Sequence, residues 1–206
     1  MTKMNGQLTK KGRQQQLLAA FFGVAACLLS KAAFAQQASA LDGIGSQSCS
    51  VVLEAKANDR NSYVAFAAWV NGFVSAANGY EPDTFDLTPW QTPEYTMAQI
   101  ARSCESNPDA ALVEAVGAYI RFLKPARLTE ETPLVAVGNE TIKTYVYLEV
   151  LAQLKSKLDA QGYDTGDNAP EAYGAAFQSA VTRYQQSNGL RTTGLPDLQT
   201  LSHIMR

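Results

Sequence analysis

Histidine is nearly missing from this chain of 206 residues: His203 is the only one. That scarcity removes most of the common hydrolytic chemistries. A catalytic zinc usually takes a histidine-rich ligand set, a serine triad needs a placed imidazole, and a thiol nucleophile needs a basic partner. Cysteine is also sparse, with Cys27, Cys49 and Cys104 making three. Long apolar runs are absent as well. The longest, Leu17 to Leu29, falls short of the roughly 20 residues needed to span lipid, so no membrane span is expected. Positive charge is unevenly placed. Five of the 17 Lys and Arg residues lie in the first 35 positions, where there is no acid. From residue 36 onward, 12 bases face 19 acids, a net charge of about −7. Nucleic acid and anionic lipid are therefore poor partners, because counterion-release binding needs a basic surface.

What stands at the start is an export signal. Lys3, Lys10, Lys11 and Arg13 precede the apolar run, and Ala33-Phe34-Ala35 follows it. A basic segment, an apolar segment and an A-x-A site make a secretory leader over residues 1–35, cleaved after Ala35. Val24-Ala25-Ala26-Cys27 offers an alternative, resembling a lipobox that leaves an acylated Cys27 as a lipid anchor. Leu28 and Leu29 are poor residues to follow an anchored cysteine. If Cys27 departs with the leader, Cys49 and Cys104 remain as an even pair in an oxidising compartment, which reads as a disulfide. Two free buried thiols are the other reading.

Residues 36–47 form a lead-in, and helical periodicity begins at Ser48. Cys49, Val52, Leu53 and Lys56 make a first helix. Ser62 is placed to cap a second that turns Tyr63, Phe66, Val70, Phe73, Val74 and Ala77 inward, and Asn78-Gly79 to stop it. Pro82, Pro89 and Pro93 interrupt any helix between Tyr80 and Pro93. A third helix is expected over 94–104, and Asn107-Pro108-Asp109 reads as the start of a fourth. That fourth helix buries Leu112, Val116, Tyr119, Ile120 and Leu123 and ends at Pro125. These elements define a disulfide-tied four-helix domain over 46–124. Residues 125–146 read as a linker in which Leu134–Val137 and Thr141–Tyr145 are two β-branched runs around a turn, a short hairpin. Tyr147, Leu151, Leu154 and Leu158 then repeat at helical spacing up to Gly162. The fold class is mainly α, with two small helical domains.

Cys49, Trp69-Val70-Asn71-Gly72-Phe73, Asp83 to Pro89 and Cys104 with Asn107-Pro108 resemble the HdeA-like periplasmic acid-stress chaperones. They also resemble the Tai-type immunity proteins that neutralise secreted wall-cutting amidases. The resemblance covers about 46–124 and implies an unidentified periplasmic protein partner. Within it, Trp69, Asn71 and Asn78 are either groove-lining or core and turn residues. The Asp83–Pro89 segment is either a packed loop or a partner-binding one.

Tyr173-Gly174, Ala180 to Gln185, Gly189-Leu190, Thr193-Gly194-Leu195-Pro196-Asp197 and Thr200-Leu201 resemble a small peptidoglycan-binding module over residues 147–206. The resemblance implies three helices, the first Leu148–Ala160, with Asp197 capping the last. It implies peptidoglycan as partner and a place in the periplasm at the cell wall. It also gives Tyr163, Asp164, Tyr173, Gln185 and Arg191 as candidate ligand residues: tyrosine faces stack on sugar rings, and an arginine pairs with a stem-peptide carboxylate. Two departures stand out. Asp167-Asn168-Ala169-Pro170 occupies the place of the usual Asp-Gly, and Phe177 replaces an expected threonine. For catalysis, only paired carboxylates of the glycosidase kind are available, in Glu94, Glu105, Asp109 and Glu114. Acids at helix starts have a simpler structural use. The expectation is a non-catalytic protein without metal or cofactor, held at the wall. Its N-terminal domain binds a protein or glycan; the alternatives are an acid-stress chaperone, an immunity-type inhibitor or a wall hydrolase.

Overall fold

Most of the described helices begin where a side chain or a neighbouring carbonyl satisfies one of the first N–H groups. A computed structural model describes residues 40, 41, 43–138 and 142–205. The expected leader, its cleavage at Ala35 and the Cys27 alternative lie outside those residues. Among the described residues there are seven α-helices and one two-stranded hairpin, so the protein is mainly α.

Helix α1 (Cys49–Asn58) lacks a side-chain cap. Its N-terminus is instead closed by the Asn107–Ala110 turn: Cys49 N–H donates to the Ala110 carbonyl and Ser50 N–H to that of Pro108, both at 2.8 Å. Asp59 then caps α2 (Arg60–Tyr80), its Oδ1 accepting from the N–H groups of Asn61 and Ser62. The expected cap, Ser62, sits inside the first turn and donates its hydroxyl to Asp59 Oδ2. Those bonds, the Ser62 hydroxyl first, hold the Asp59 carboxyl below its ordinary value. Helix α2 continues through Asn78-Gly79. It stops at Glu81, extended at ψ 128°, because the residue before Pro82 is biased away from helix. Phe66, Val70 and Val74 form its buried face.

Thr92 caps α3 (Pro93–Ser106) through Tyr95 N–H, with Pro93 in the first turn. The disulfide Cys49–Cys104 joins the start of α1 to the last turn of α3. Helix α4 (Leu112–Leu123) starts later than Asn107-Pro108-Asp109 suggested. Asn107 ends α3, and the turn's carbonyls serve α1. The Glu114 carboxylate reaches back to Ala111 N–H at 3.1 Å. Val52, Val70, Ile100, Leu112 and Val116 meet, fully buried, in the first core.

The hairpin is β1 (Leu134–Gly138) and β2 (Lys143–Tyr147), antiparallel, with Val135 opposite Val146. Its second strand lies two residues beyond the expected Thr141–Tyr145 run. This register puts Val137 and Val146 on one face, and both are buried against α5 (Leu148–Ala160). Helix α5 has the boundaries expected from sequence. Gly162 follows it at φ +83°, the left-handed conformation that ends many helices. Helix α6 (Ala175–Ser187) and α7 (Leu198–Ile204) complete a second core built on Leu151, Leu154, Leu158, Phe177, Val181 and Leu201. The unexpected Phe177 is thus a core residue, and its ring lies 4.7 Å from that of Tyr173.

Candidate functional site

The loop 189–197, between α6 and α7, is shaped from beneath by one buried amide. Gln185 has no exposed surface. Its Oε1 accepts from the N–H groups of Thr193 and Gly194 at 2.9 and 2.8 Å. The two hydrogens of its Nε2 are shared among Thr193 Oγ1, the Leu195 carbonyl and Thr200 Oγ1, all at 2.8–3.0 Å. Asp197 closes the network from the other side. Its Oδ1 accepts from the N–H and hydroxyl of Thr200, and its Oδ2 from the Thr193 hydroxyl. Asp197 therefore caps α7, as its position before Leu198 suggested, and pins the loop as well. Gly194, at φ +65°, leaves no room for a side chain: a Cβ would lie 2.9 Å from Thr182 Oγ1.

Of the five candidate ligand residues, Arg191 is exposed on this loop. Its guanidinium has no ion-pair or hydrogen-bond partner among the described residues. Gln185 is the support beneath the loop and is out of a ligand's reach. Tyr173, at φ +29°, donates its hydroxyl to the Gly194 carbonyl at 2.8 Å. Burial and the neighbouring Asp197 push that hydroxyl up, so it stays protonated as a donor. Tyr163 packs edge-on to Tyr184, with ring centroids 5.4 Å apart. Asp164 turns its own backbone through Gly166 N–H, and its carbonyl accepts from Arg183. These two lie on the α5–α6 connection, and neither lines the cleft described next. His203 Nδ1 is 2.6 Å from the Tyr184 hydroxyl.

Arg191 opens onto a cleft of about 620 Å³, within the usual range for small-ligand sites. One side is the 189–197 loop, a second is Thr144 and Tyr145 of β2, and the third is Pro89 and Trp90. Trp90 comes from the loop between α2 and α3, which sequence reasoning treated as an interruption. The loop is firmly held. Asn78 accepts from Leu87 N–H and donates to Asp86 Oδ1, and Asp86 pairs its backbone with Leu128. Phe85 meets Tyr147 edge to face at 5.8 Å. Trp90 itself packs on the second core. The only signal for its role was an aromatic residue inside a proline-rich stretch.

The other candidates have structural uses. Trp69 lies 5.2 Å from Phe73 and covers Gly45, and Asn71 donates to the Ala67 carbonyl. Glu105 pairs with Lys56, Glu114 serves α4, Glu94 lies in the first turn of α3, and Asp109 stands in the turn before α4. Among the described residues, no group of three or more His, Cys, Asp or Glu side chains could hold a metal. No described helix is long and apolar enough to cross a membrane.

Residues 149–204 match the family profile described as "Putative peptidoglycan binding domain". The match covers α5 to α7 and the loop bearing Arg191, and it implies association with the cell wall. No curated protein and no solved structure matches the chain, and the likeness of residues 46–124 to HdeA-like or Tai-type proteins gains no support from these comparisons.

Proposed function

We propose that the protein works in the periplasm as a non-catalytic, wall-associated protein. Residues 149–204 hold it on peptidoglycan, and residues 46–124 present a surface to a second periplasmic protein or a glycan. The observation that carries the reading is the family match at 149–204 over a module that displays an unpaired Arg191. A stem-peptide carboxylate is a fitting partner for that guanidinium, since arginine binds carboxylates in a two-pronged, charge-assisted geometry. The acidic balance of residues 36–206 supports a wall ligand over nucleic acid.

Co-sedimentation with purified peptidoglycan sacculi at low salt tests the reading. The protein is expected to pellet with the sacculi, and Arg191→Ala to weaken binding by about tenfold or more, the value of a charge-assisted hydrogen bond. Failure of the wild-type protein to pellet would overturn it. The alternative of an acid-stress chaperone or immunity-type inhibitor rests on the disulfide-tied helical arrangement around Cys49 and Cys104. It predicts reversible exposure of apolar surface in acid, or inhibition of a wall amidase.

A further inference from the structure

The cleft beside Arg191 is not closed by the peptidoglycan-binding module alone. Its third wall, Pro89 and Trp90, belongs to the α2–α3 loop, outside the matched residues 149–204. We propose that Trp90 completes a composite ligand site, in which the indole supports a sugar ring while Arg191 holds a carboxylate of the attached peptide. The inference deepens the reading above and rests on it. Its occupant is a disaccharide–peptide fragment of peptidoglycan.

Three observations lead there. First, three of the polar groups lining the cleft are unspent. Among the described residues, the Arg191 guanidinium and the hydroxyls of Thr144 and Thr192 have no hydrogen-bond partner. Asp197, the acid in the lining, has both carboxylate oxygens engaged by Thr193 and Thr200, which leaves the Arg191 guanidinium as the charged group with open hydrogen-bonding capacity. Second, aromatic surface stands beside these groups. Trp90 is half-buried, and Tyr145 is 66% exposed. An amphipathic ligand with hydroxyls, an apolar ring face and a carboxylate matches that lining; a purely apolar peptide leaves the arginine and the hydroxyls unpaired. Third, Trp90 is immobilised from both directions. Its ring lies 5.5 Å from that of Tyr95 and packs against the second core, and Asn78 and Leu128 anchor its loop. A platform already ordered loses little side-chain entropy on binding. Trp90 also borders a neighbouring cavity of about 450 Å³ beside Tyr119 and Phe122.

The test is titration calorimetry and tryptophan fluorescence on the full chain. The probes are a soluble disaccharide–tetrapeptide, the disaccharide alone and the tetrapeptide alone. The wild-type protein is expected to bind the joined fragment more tightly than either part. Trp90→Ala is expected to lose about tenfold for the joined fragment, about 1.4 kcal/mol, with little change for the tetrapeptide. Arg191→Ala is expected to lose about tenfold for both the joined fragment and the tetrapeptide. Trp90→Phe keeps an aromatic in the packing; it should bind within about threefold of wild type yet lose the ligand-induced change in fluorescence. A Trp90→Ala variant that folds, by its melting curve, and binds the fragment like wild type would overturn the composite site and leave the wall-binding reading standing. So would a Trp90→Phe variant that keeps the full fluorescence response. If the wild-type protein binds neither fragment nor sacculi, the wall-binding reading fails and the composite site with it.

Discussion

Replacing Gln185 by leucine keeps nearly the same volume and removes every hydrogen bond that the Gln185 amide makes to the Arg191 loop. The loss falls on specific groups. Gly194 N–H is buried and Thr193 N–H partly so, and both donate to Gln185 Oε1; the Leu195 carbonyl loses a donor as well. Each buried group left without a partner costs about 1–3 kcal/mol, so the substitution should cost about 3–5 kcal/mol. For a unit of this size that lowers Tm by roughly 10 °C or more. Gln185→Glu sharpens the test. The carboxylate keeps an acceptor for Thr193 and Gly194 but has no hydrogen to give the Leu195 carbonyl. Its buried pKa is therefore raised above the unfolded value of about 4.3. The sign follows: the carboxyl stabilises the fold fully below pH of about 4.3, where it is protonated and donates, and that contribution is lost as pH rises through the raised pKa. Thermal melts of wild type, Gln185→Leu and Gln185→Glu from pH 4 to pH 8 should show the glutamate variant approaching wild type in acid and falling away at neutral pH. A leucine variant within about 1 kcal/mol of wild type, or a glutamate variant with no extra pH dependence, would refute the role given to Gln185.

Three further outcomes follow from the same structure. Replacing both Cys49 and Cys104 by serine opens a cross-link of sequence separation 55 and should cost about 4 kcal/mol by the chain-entropy relation, read as a lower denaturant midpoint. Desolvation works to raise the Asp159 carboxyl, but hydrogen bonds from Thr165 and Lys155 outweigh it and hold the group below 3.8. Its contribution is thus present above pH 3.8 and lost as pH falls through the depressed value, and Asp159→Asn should narrow its stability gap to wild type in that acid range. A Cβ on Gly45 would lie 2.1 Å from the Trp69 ring, so Gly45→Ala should cost about 1–3 kcal/mol and shift the Trp69 emission.

Much of the architecture was legible because periodicity and caps agree locally. Helix α5 needed only its leucine spacing and Gly162, and α7 only Asp197. The misplacements come from competing partners, one distant and the others close in sequence. The Asn107-Pro108-Asp109 turn looks like a helix start in isolation, but its carbonyls cap α1, some 60 positions earlier. Ser62 lost the capping role to Asp59, whose carboxylate reaches two N–H groups. The second strand lies two residues later than its β-branched run, in the register that buries Val146 against α5. In the site, Arg191 was legible as an exposed cation in a turn. Gln185 was chosen for the same neighbourhood, yet burial gives it the opposite role. Trp90 was missed because Tyr145 and Arg191, which line the same cleft, are 55 and 101 positions away.

The central claim is that this protein grips the wall through the cleft at Arg191. Sedimentation of the full chain with peptidoglycan sacculi, wild type against Arg191→Ala at matched low salt, tests it most directly. Wild type is expected to pellet, and the variant to need about tenfold more sacculi to do so. Wild type left in the supernatant, or an Arg191→Ala variant that pellets equally well, would contradict it.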